Sequence, residues 1–401
     1  MTGLIGLLVI PGIAWLLSTN RFRVRWRTVV TGIAIQFALA LLILKTAPGR
    51  AFFAGATEVV TGFLEFADEG SRFVFGQGFD LVPFAFRVLP TIIFFSSVVA
   101  VLYHLGVIQR VVKVFAVVMT KVMGTSGPES LSASANIFVG QTEAPLLIRS
   151  YVGNMTRSEL MAVMTGGFAT VAGGVLAAYV GMGISAGHLI AASVMSAPAA
   201  LVMAKLMVPE TETDRVSADT DFKVRTPWAN MIDAAAQGAG DGLKLALNVG
   251  AMLLAFIALV ALVNGLLGPV GSWIGLPGLN LEMILGFLFR PLAWVMGVPW
   301  GEADAVGTLL GLKTAANEFV AYSRFEDISA DNQLSEKSRV IATYALCGFS
   351  NFSSIAIQIG GIGGIAPERK SELASLGLRA MIAGTLACLQ TATIAGLIFL
   401  I

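Results

Sequence analysis

Ala135-Asn136-Ile137-Phe138-Val139 and Ala316-Asn317-Glu318-Phe319-Val320 are one motif met twice, 181 residues apart, inside an otherwise apolar sequence. Carrying the same offset forward lands Gly167-Phe168 on Gly348-Phe349 and Thr170 on Asn351. Two separate segments therefore repeat with unchanged spacing, which chance matching of apolar residues rarely produces. In a membrane chain, interrupted hydrophobic segments at corresponding places in two halves point to the central binding site of a transporter.

Composition settles the class. Hydrophobic residues make up 56% and charged residues 13% of the chain, and the mean hydropathy is +0.80, values that a soluble domain of this size does not sustain. Such a surface is buried in a lipid bilayer instead. A net charge of +1 with no long basic run argues against nucleic acid as a partner. Cys347 and Cys388 both lie in apolar stretches without metal-like neighbours and read as buried thiols, not as a disulfide or ligand pair. Residues 2–17 have the length of a signal peptide, but Pro11 interrupts the run, no small-residue cleavage site comes after it, and a basic cluster is next. They form the first span.

Basic residues orient the spans. Arg21, Arg23, Arg25 and Arg27 follow span one, which places that loop in the cytoplasm and the N-terminus outside. Span two is 28–46, and 48–80 reads as an amphipathic helix along the outer interface. Span three, 86–109, delivers Arg110, Lys113 and Lys121 to the inside; spans four and five are 159–181 and 184–206. A charged loop, 209–227, carries Arg215, Lys223 and Arg225 inside, and an amphipathic lead-in, 228–243, precedes span six at 244–267. Spans seven and eight, 338–363 and 374–401, flank Glu368-Arg369-Lys370, inside again, so the C-terminus lies outside. The alternation closes only if 115–150 and 281–326, apolar but broken by polar residues, do not cross. Each is a re-entrant helical hairpin, the first entering from the cytoplasm and the second from outside. The fold class is thus an all-α polytopic membrane protein with about eight spans and two hairpins in an inverted repeat.

Non-helical backbone at membrane depth survives only where protein or a water-filled cavity satisfies it. A carboxylate at the bilayer centre costs about 2.5–3.5 kcal/mol, which makes intramembrane acids functional candidates. Glu143, in Gly140-Gln141-Thr142-Glu143-Ala144-Pro145, and Glu318 are the two at the repeat positions. The Gly and Pro around the first open a hairpin tip and free carbonyls for an ion. The plainer alternatives are an interfacial carboxylate for Glu143 and a structural pair with Lys313 or Arg324 for Glu318. Gly166-Gly167-Phe168-Ala169-Thr170-Val171-Ala172-Gly173-Gly174 in span four and Gly348-Phe349-Ser350-Asn351-Phe352-Ser353-Ser354 in span seven are both weak helix formers. Small residues also serve close helix packing. Two such segments, each following a polar hairpin at the same interval, favour local unwinding at a binding site.

At these residues the chain resembles the concentrative nucleoside transporters, in particular the bacterial sodium-coupled members. The likeness rests on GQTEAP (140–145), NEF (317–319) and the run from Cys347 through Gly348, Phe349 and Asn351 to Ser353-Ser354; it extends to FRVLPT (86–91), LALNVGAM (245–252) and GVPW (297–300). The resemblance implies a homotrimer in the bacterial inner membrane, each protomer having a scaffold domain and a moving transport domain that works as an elevator. Residues 1–112 and 183–280 would be mainly scaffold, 113–182 and 281–363 transport domain, and 364–401 the last span. By the same resemblance Gln141, Thr142, Glu143 and Val175 would face the nucleobase, while Glu318, Asn351 and Ser354 would bind ribose hydroxyls with Phe349 packing nearby. Sodium, the coupling ion and the one inorganic group expected, would sit on the Asn136 and Thr170 side chains and the Val139 and Val171 carbonyls. The substrate would be a nucleoside of the uridine, cytidine and adenosine class. Carboxylates accept vicinal hydroxyls strongly, and amides and hydroxyls match a base edge, so the chemistry is sound on its own terms.

Other readings compete. Gly183-Ile184-Ser185-Ala186-Gly187, with His188 next, matches a nucleophile elbow, and an intramembrane hydrolase would pair Ser185 with His104 or His188. That elbow needs a strand before its helix, and none is expected here. A passive channel would conduct without an ion gradient, against which two closed hairpin tips argue. Proton coupling, or the same architecture carrying another small polar solute, are the nearer alternatives. The chain is read as a transporter and not an enzyme.

Overall fold

The computed structural model describes residues 2–82, 84–212 and 228–400. The expected cytoplasmic charges Arg215, Lys223 and Arg225 lie outside the described residues. Within them, α1 (Thr2–Leu16), α2 (Trp26–Lys45) and α3 (Ala47–Phe75) are followed by α4 (Leu89–His104), entered through a π-helical turn at Phe84–Val88, then α5 (Val107–Met123), α6 (Gly127–Ala135), α7 (Arg149–Val152), α8 (Arg157–Ala169), α9 (Gly173–Gly181) and α10 (Ala186–Met207). Then come α11 (Met231–Trp273), α12 (Leu281–Val295), α13 (Ala303–Ala315), α14 (Glu318–Ser323), α15 (Phe325–Asp331), α16 (Glu336–Leu346), α17 (Phe352–Ile365) and α18 (Lys370–Leu400). No strand occurs among the described residues. Six of the described helical runs are long and apolar enough to cross a membrane, and Thr2–Leu16 and Phe352–Ile365 are shorter apolar helices. Together these eight occupy the places of the eight spans read from sequence.

The repeat runs through the whole order of elements. The series α4, α5, α6, α8, α9, α10 is matched by α11, α12, α13, α16, α17, α18. Helix starts obey the same chemistry in both halves. Thr156 and Ser335 accept the N–H of Glu159 and Ser338 at the heads of α8 and α16, and Thr156 forms a full capping box with Glu159. The breaks inside spans four and seven are present, at 170–172 and 347–351.

Burial separates two populations. The most apolar windows of Arg157–Gly181, Ala186–Met207 and Pro367–Phe399 are 89%, 89% and 78% buried, whereas those of Phe84–His104 and Met231–Trp273 are 28% and 17% buried. The former make the core around the breaks. The latter, α4 and α11, pack closely on each other and present their remaining apolar faces outward. Gly238 and Gly242 permit that crossing, since a Cβ on either would come within 2.8 Å of α4 atoms. Ser97 Oγ donates to the Ala235 carbonyl at 2.9 Å across it.

Two expectations change. The stretch 228–267 is not a lead-in followed by a span: from Met231 onward it is part of one helix, α11, of 43 residues. At 1.5 Å per residue that is about 65 Å, twice the hydrocarbon thickness of about 30 Å. Its amphipathic start continues the same helical phase, so nothing interrupts it. The hairpins are also shorter than 115–150 and 281–326. Separate helices, α5 and α12, precede them. The buried positions of α5, Ile108, Val112, Ala116, Met119 and Met123, form one stripe, which leaves Arg110, Lys113 and Lys121 on other faces, the pattern of a helix lying in the interface. Gly124, with φ +72°, ends α5 and turns the chain into the hairpin.

One end of the core is tied by charge. Lys205 Nζ lies 2.6 Å from Glu129 Oε2 and 3.7 Å from Glu210 Oε2, and donates to Ser158 Oγ at 2.9 Å, joining α6, α8 and the end of α10. Burial would raise the Glu210 carboxyl, but the Thr156 hydroxyl at 2.7 Å, Lys205 and the Glu212 N–H outweigh it and hold Glu210 below the ordinary glutamate range. A depressed value means stability that is complete at neutral pH and is lost as pH falls through the folded value. The melting temperature of detergent-purified protein is therefore expected to fall on acidification below about pH 4. It should fall less steeply for Glu210→Gln, and equal slopes would exclude this role.

Candidate functional site

The first hairpin tip meets the helix starts beyond both breaks, and the second tip meets the second break and α9. The first tip is the non-helical stretch after α6, and its Phe138 carbonyl accepts the Gly173 N–H at 3.2 Å, which pins it to the start of α9. The two breaks are joined directly: the Phe349 N–H donates to the Thr170 carbonyl at 3.2 Å. Gly348 has φ +157°, and a Cβ there would stand 2.8 Å from the Phe168 carbonyl, so the contact requires glycine.

A chain of hydrogen bonds then crosses the site. Gln141 Nε2 donates to Ser354 Oγ at 3.3 Å, and Gln358 Nε2 donates to Gln141 Oε1 at 3.0 Å and to the Met164 carbonyl at 3.1 Å. Asn351 caps α17, its Oδ1 accepting from the Ser354 N–H at 3.0 Å and from Ser353 Oγ at 2.7 Å. Its Nδ2 donates to Glu318 Oε2 at 2.9 Å, while Tyr179 OH donates to Glu318 Oε1 at 3.1 Å. Glu318, only 3% exposed, thus binds residues of both repeats. The alternative pairing with Lys313 or Arg324 is not made, since neither cation is within ion-pair distance of it.

The remaining sequence candidates fall around this chain of bonds. Thr142 Oγ1 donates to Glu143 Oε1 at 3.0 Å, and Glu143 is exposed on the first tip. Phe349 is half-buried against the core, and Val175 is buried in the first turn of α9. Sequence reasoning does not single out Tyr179 or Gln358. Gln358 lies four residues beyond Ser354, and Tyr179 four beyond Val175, so each shares a helical face with a candidate residue, and that spacing is the signal that could find them. Ser185 accepts from the His188 N–H as the cap of α10, and His188 faces Tyr344; the elbow motif is a helix start. Cys347 and Cys388 are buried free thiols, with Cys388 Sγ donating to the Cys347 carbonyl.

The residues suit a monovalent cation. Asn136 is fully buried, and its Nδ2 donates to the Ser132 carbonyl at 3.0 Å, yet its Oδ1 has no partner, a cost a bound ion would relieve. Thr170 Oγ1 donates to the Gly166 carbonyl at 2.9 Å, which leaves its lone pairs available. Asn136 and α8 are adjacent, since a Cβ on Gly166 would come within 3.1 Å of Asn136 Nδ2. Val139 and Val171, whose carbonyls complete the expected ligand set, are buried close to these two residues in the chain.

Comparison with known proteins agrees with this architecture. Family models for the N-terminus and C-terminus of the Na+ dependent nucleoside transporter match residues 5–78 and 188–396, and a nucleoside recognition (Gate) model matches 85–186. An uncharacterized transporter of Haemophilus influenzae is 50% identical over 99% of this chain and 97% of its own length. This chain belongs to the concentrative nucleoside transporter family. Sodium/nucleoside cotransporter 1 of Rattus norvegicus is 43% identical over 95% of this transporter, which spans 61% of that relative. CNTnw in an inward-facing substrate-bound state superposes with a TM-score of 0.92 at 47% identity, over 99% of this chain and 97% of that one. A variant of CNTnw in an outward-facing state gives a TM-score of 0.94 at 48% identity, over 99% of this chain and 97% of that one.

In this transporter the Tyr179 hydroxyl holds one oxygen of Glu318 in place. Tyr179→Phe removes that bond and keeps the ring contacts with Phe319 and Tyr322. We expect half-saturation for nucleoside uptake to rise roughly five- to tenfold, the equivalent of about 1–1.5 kcal/mol. An unchanged value in a folded protein would remove Tyr179 from the site.

Proposed function

We propose that this transporter carries nucleosides into the cell in symport with sodium, by an elevator movement of the part that bears both hairpins. The observation that carries this is the hydrogen-bonded path from Gln141 through Ser354 and Asn351 to Glu318, which links both hairpins through the second break. Glu318 keeps lone pairs free beyond those used by Tyr179 and Asn351, and vicinal hydroxyls of a ribose can donate to them. Asn351 and Ser354 would complete the ribose contacts, with Phe349 packing against them. Gln141, Thr142, Glu143 and Val175 would face the base, where an amide offers both donor and acceptor. Uridine, cytidine and adenosine are the expected class.

Sodium would be held by Asn136, Thr170 and the Val139 and Val171 carbonyls. Gln141 lies in the same tip as Asn136, so ordering the tip around the ion also orders a substrate contact. That is a coupling free energy between two sites that share one mobile element. One elementary charge moving through 100 mV supplies about 2.3 kcal/mol, roughly fifty-fold in concentration.

Residues 1–112 and 183–280 would be mainly scaffold, 113–182 and 281–363 the moving domain, and 364–401 the last span. The apolar outer faces of α4 and α11 support self-association, read as a homotrimer. Both termini would lie outside the bacterial inner membrane.

Uptake of labelled uridine into proteoliposomes tests this directly, with an inward sodium gradient, a proton gradient in potassium, or neither. We expect accumulation only with sodium. Accumulation driven by protons would replace the ion, and none under any gradient would replace the substrate with another polar solute. Glu318→Gln should abolish uptake while assembly persists, and normal uptake by that variant would refute the ribose assignment. Asn136→Ala should raise the sodium concentration for half-maximal uptake about tenfold or more, in line with losing about 1.4 kcal/mol of binding; an unshifted sodium curve would place the ion elsewhere.

A further inference from the structure

Lys313 is a buried basic side chain that the transport reading leaves unused. It lies near the end of α13, just before the second tip, and is 2% exposed. Among the described residues no carboxylate is within ion-pair distance of it, although its charge reaches Glu318. Its ammonium donates instead to the Ala345 carbonyl at 2.8 Å, in the last turn of α16. A buried charge held by a single carbonyl is expensive, so its placement calls for a physical reason.

The repeat supplies that reason. In each half, a helix ends at a break and points its last carbonyls, the negative end of the helix dipole, at a hairpin tip. At the end of α16 three successive carbonyls are met by this chain's own donors. The Thr343 carbonyl accepts from Tyr322 OH at 2.8 Å, that of Tyr344 from the Cys347 N–H, and that of Ala345 from the Lys313 ammonium. At the end of α8 the side-chain donors are neutral: the Thr170 hydroxyl on the Gly166 carbonyl and the Cys388 thiol on that of Ala169. Moving Lys313 back by the 181-residue offset lands on Ser132, whose buried Oγ has no partner, in the same hairpin limb that carries the free Asn136 Oδ1. One helix end has a cation built in. The other has unmatched oxygens in the same region.

We propose that Lys313 is the second repeat's tethered counterpart of the coupling ion: its ammonium neutralises the C-terminal end of α16 and the field of Glu318, so that this half takes no cation from solution. The proposal rests on the sodium reading above. Lys313 acts through α16 and Glu318 and is a positioning residue.

Lys313→Asn removes the charge and leaves an oxygen donor, recreating the polar surroundings of the first repeat. Sodium dependence of uridine uptake should then become steeper, the Hill coefficient rising from about one toward two, the limit set by two coupled ions. Lys313→Arg should keep the wild-type curve. In detergent, sodium but not choline should raise the melting temperature of Lys313→Asn by more than it raises that of the wild type. Equal sodium shifts and an unchanged Hill coefficient would overturn the proposal. So would an Asn variant that no sodium concentration restores to a folded state, whether or not Lys313→Arg folds, because sodium would then not replace the ammonium. Wild-type uptake in the same assay separates the two readings: if it is independent of sodium, the sodium reading itself fails.

Discussion

The structure depends on one constraint, that interrupted backbone at membrane depth must find its hydrogen bonds within the protein. Two helices are broken here, and each break satisfies the other. The Phe349 N–H donates to the Thr170 carbonyl, and Gly348 allows the two irregular stretches to approach to contact distance. The first hairpin tip closes the same knot through Phe138 and Gly173. Once the breaks are back to back, side chains in them and on the first two turns beyond them converge, which is why Asn351, Ser354, Gln358 and Tyr179 come together from distant parts of the sequence.

Near-identical motifs then take different roles because their next residues differ. After Asn317 the chain continues as Glu-Phe-Val-Ala and forms α14 at once, so Asn317 adopts an extended conformation and its Oδ1 caps the Val320 N–H at 2.9 Å. After Asn136 the chain runs through Ile-Phe-Val to Gly140 without forming a helix, and Asn136 itself sits at the end of α6 in a helical conformation. Its oxygen therefore has no N–H to cap. One asparagine is consumed by structure and the other remains available to a cation. A twofold repeat can in this way yield two unlike sites from one motif, decided by local helix formation.

The parts of the molecule differ in how legible they are in sequence because their signals differ in range. The repeated motif, the eight apolar segments and the two breaks are visible because they are local: composition, spacing and poor helix formers declare them. Tyr179 and Gln358 escape such a reading because each is an ordinary residue of an apolar span until α9 and α17 are packed against the tips. The hairpins read too long for a related reason. The lipid interface and the protein interior both demand apolar residues, so α5 and α12 merge with the hairpins in a hydropathy reading, and only packing separates them. In α11 the amphipathic start and the apolar span share one helical phase, and no breaker divides them.

The proposed movement need not dismantle the site. The polar path and both breaks sit among the helices with the most buried windows, while α4 and α11 turn most of theirs outward. Shifting 113–182 and 281–363 as a body, the movement proposed above, would leave the bonds among Gln141, Ser354, Asn351 and Glu318 intact, since all four residues lie in those segments. What would then slide is the boundary with the outer helices, such as the contact of α9 with α4, where Gly174 brings its backbone against Ser96. Small residues at that seam mean few interlocked side chains to disengage, so a rigid-body passage is less costly than opening the site itself.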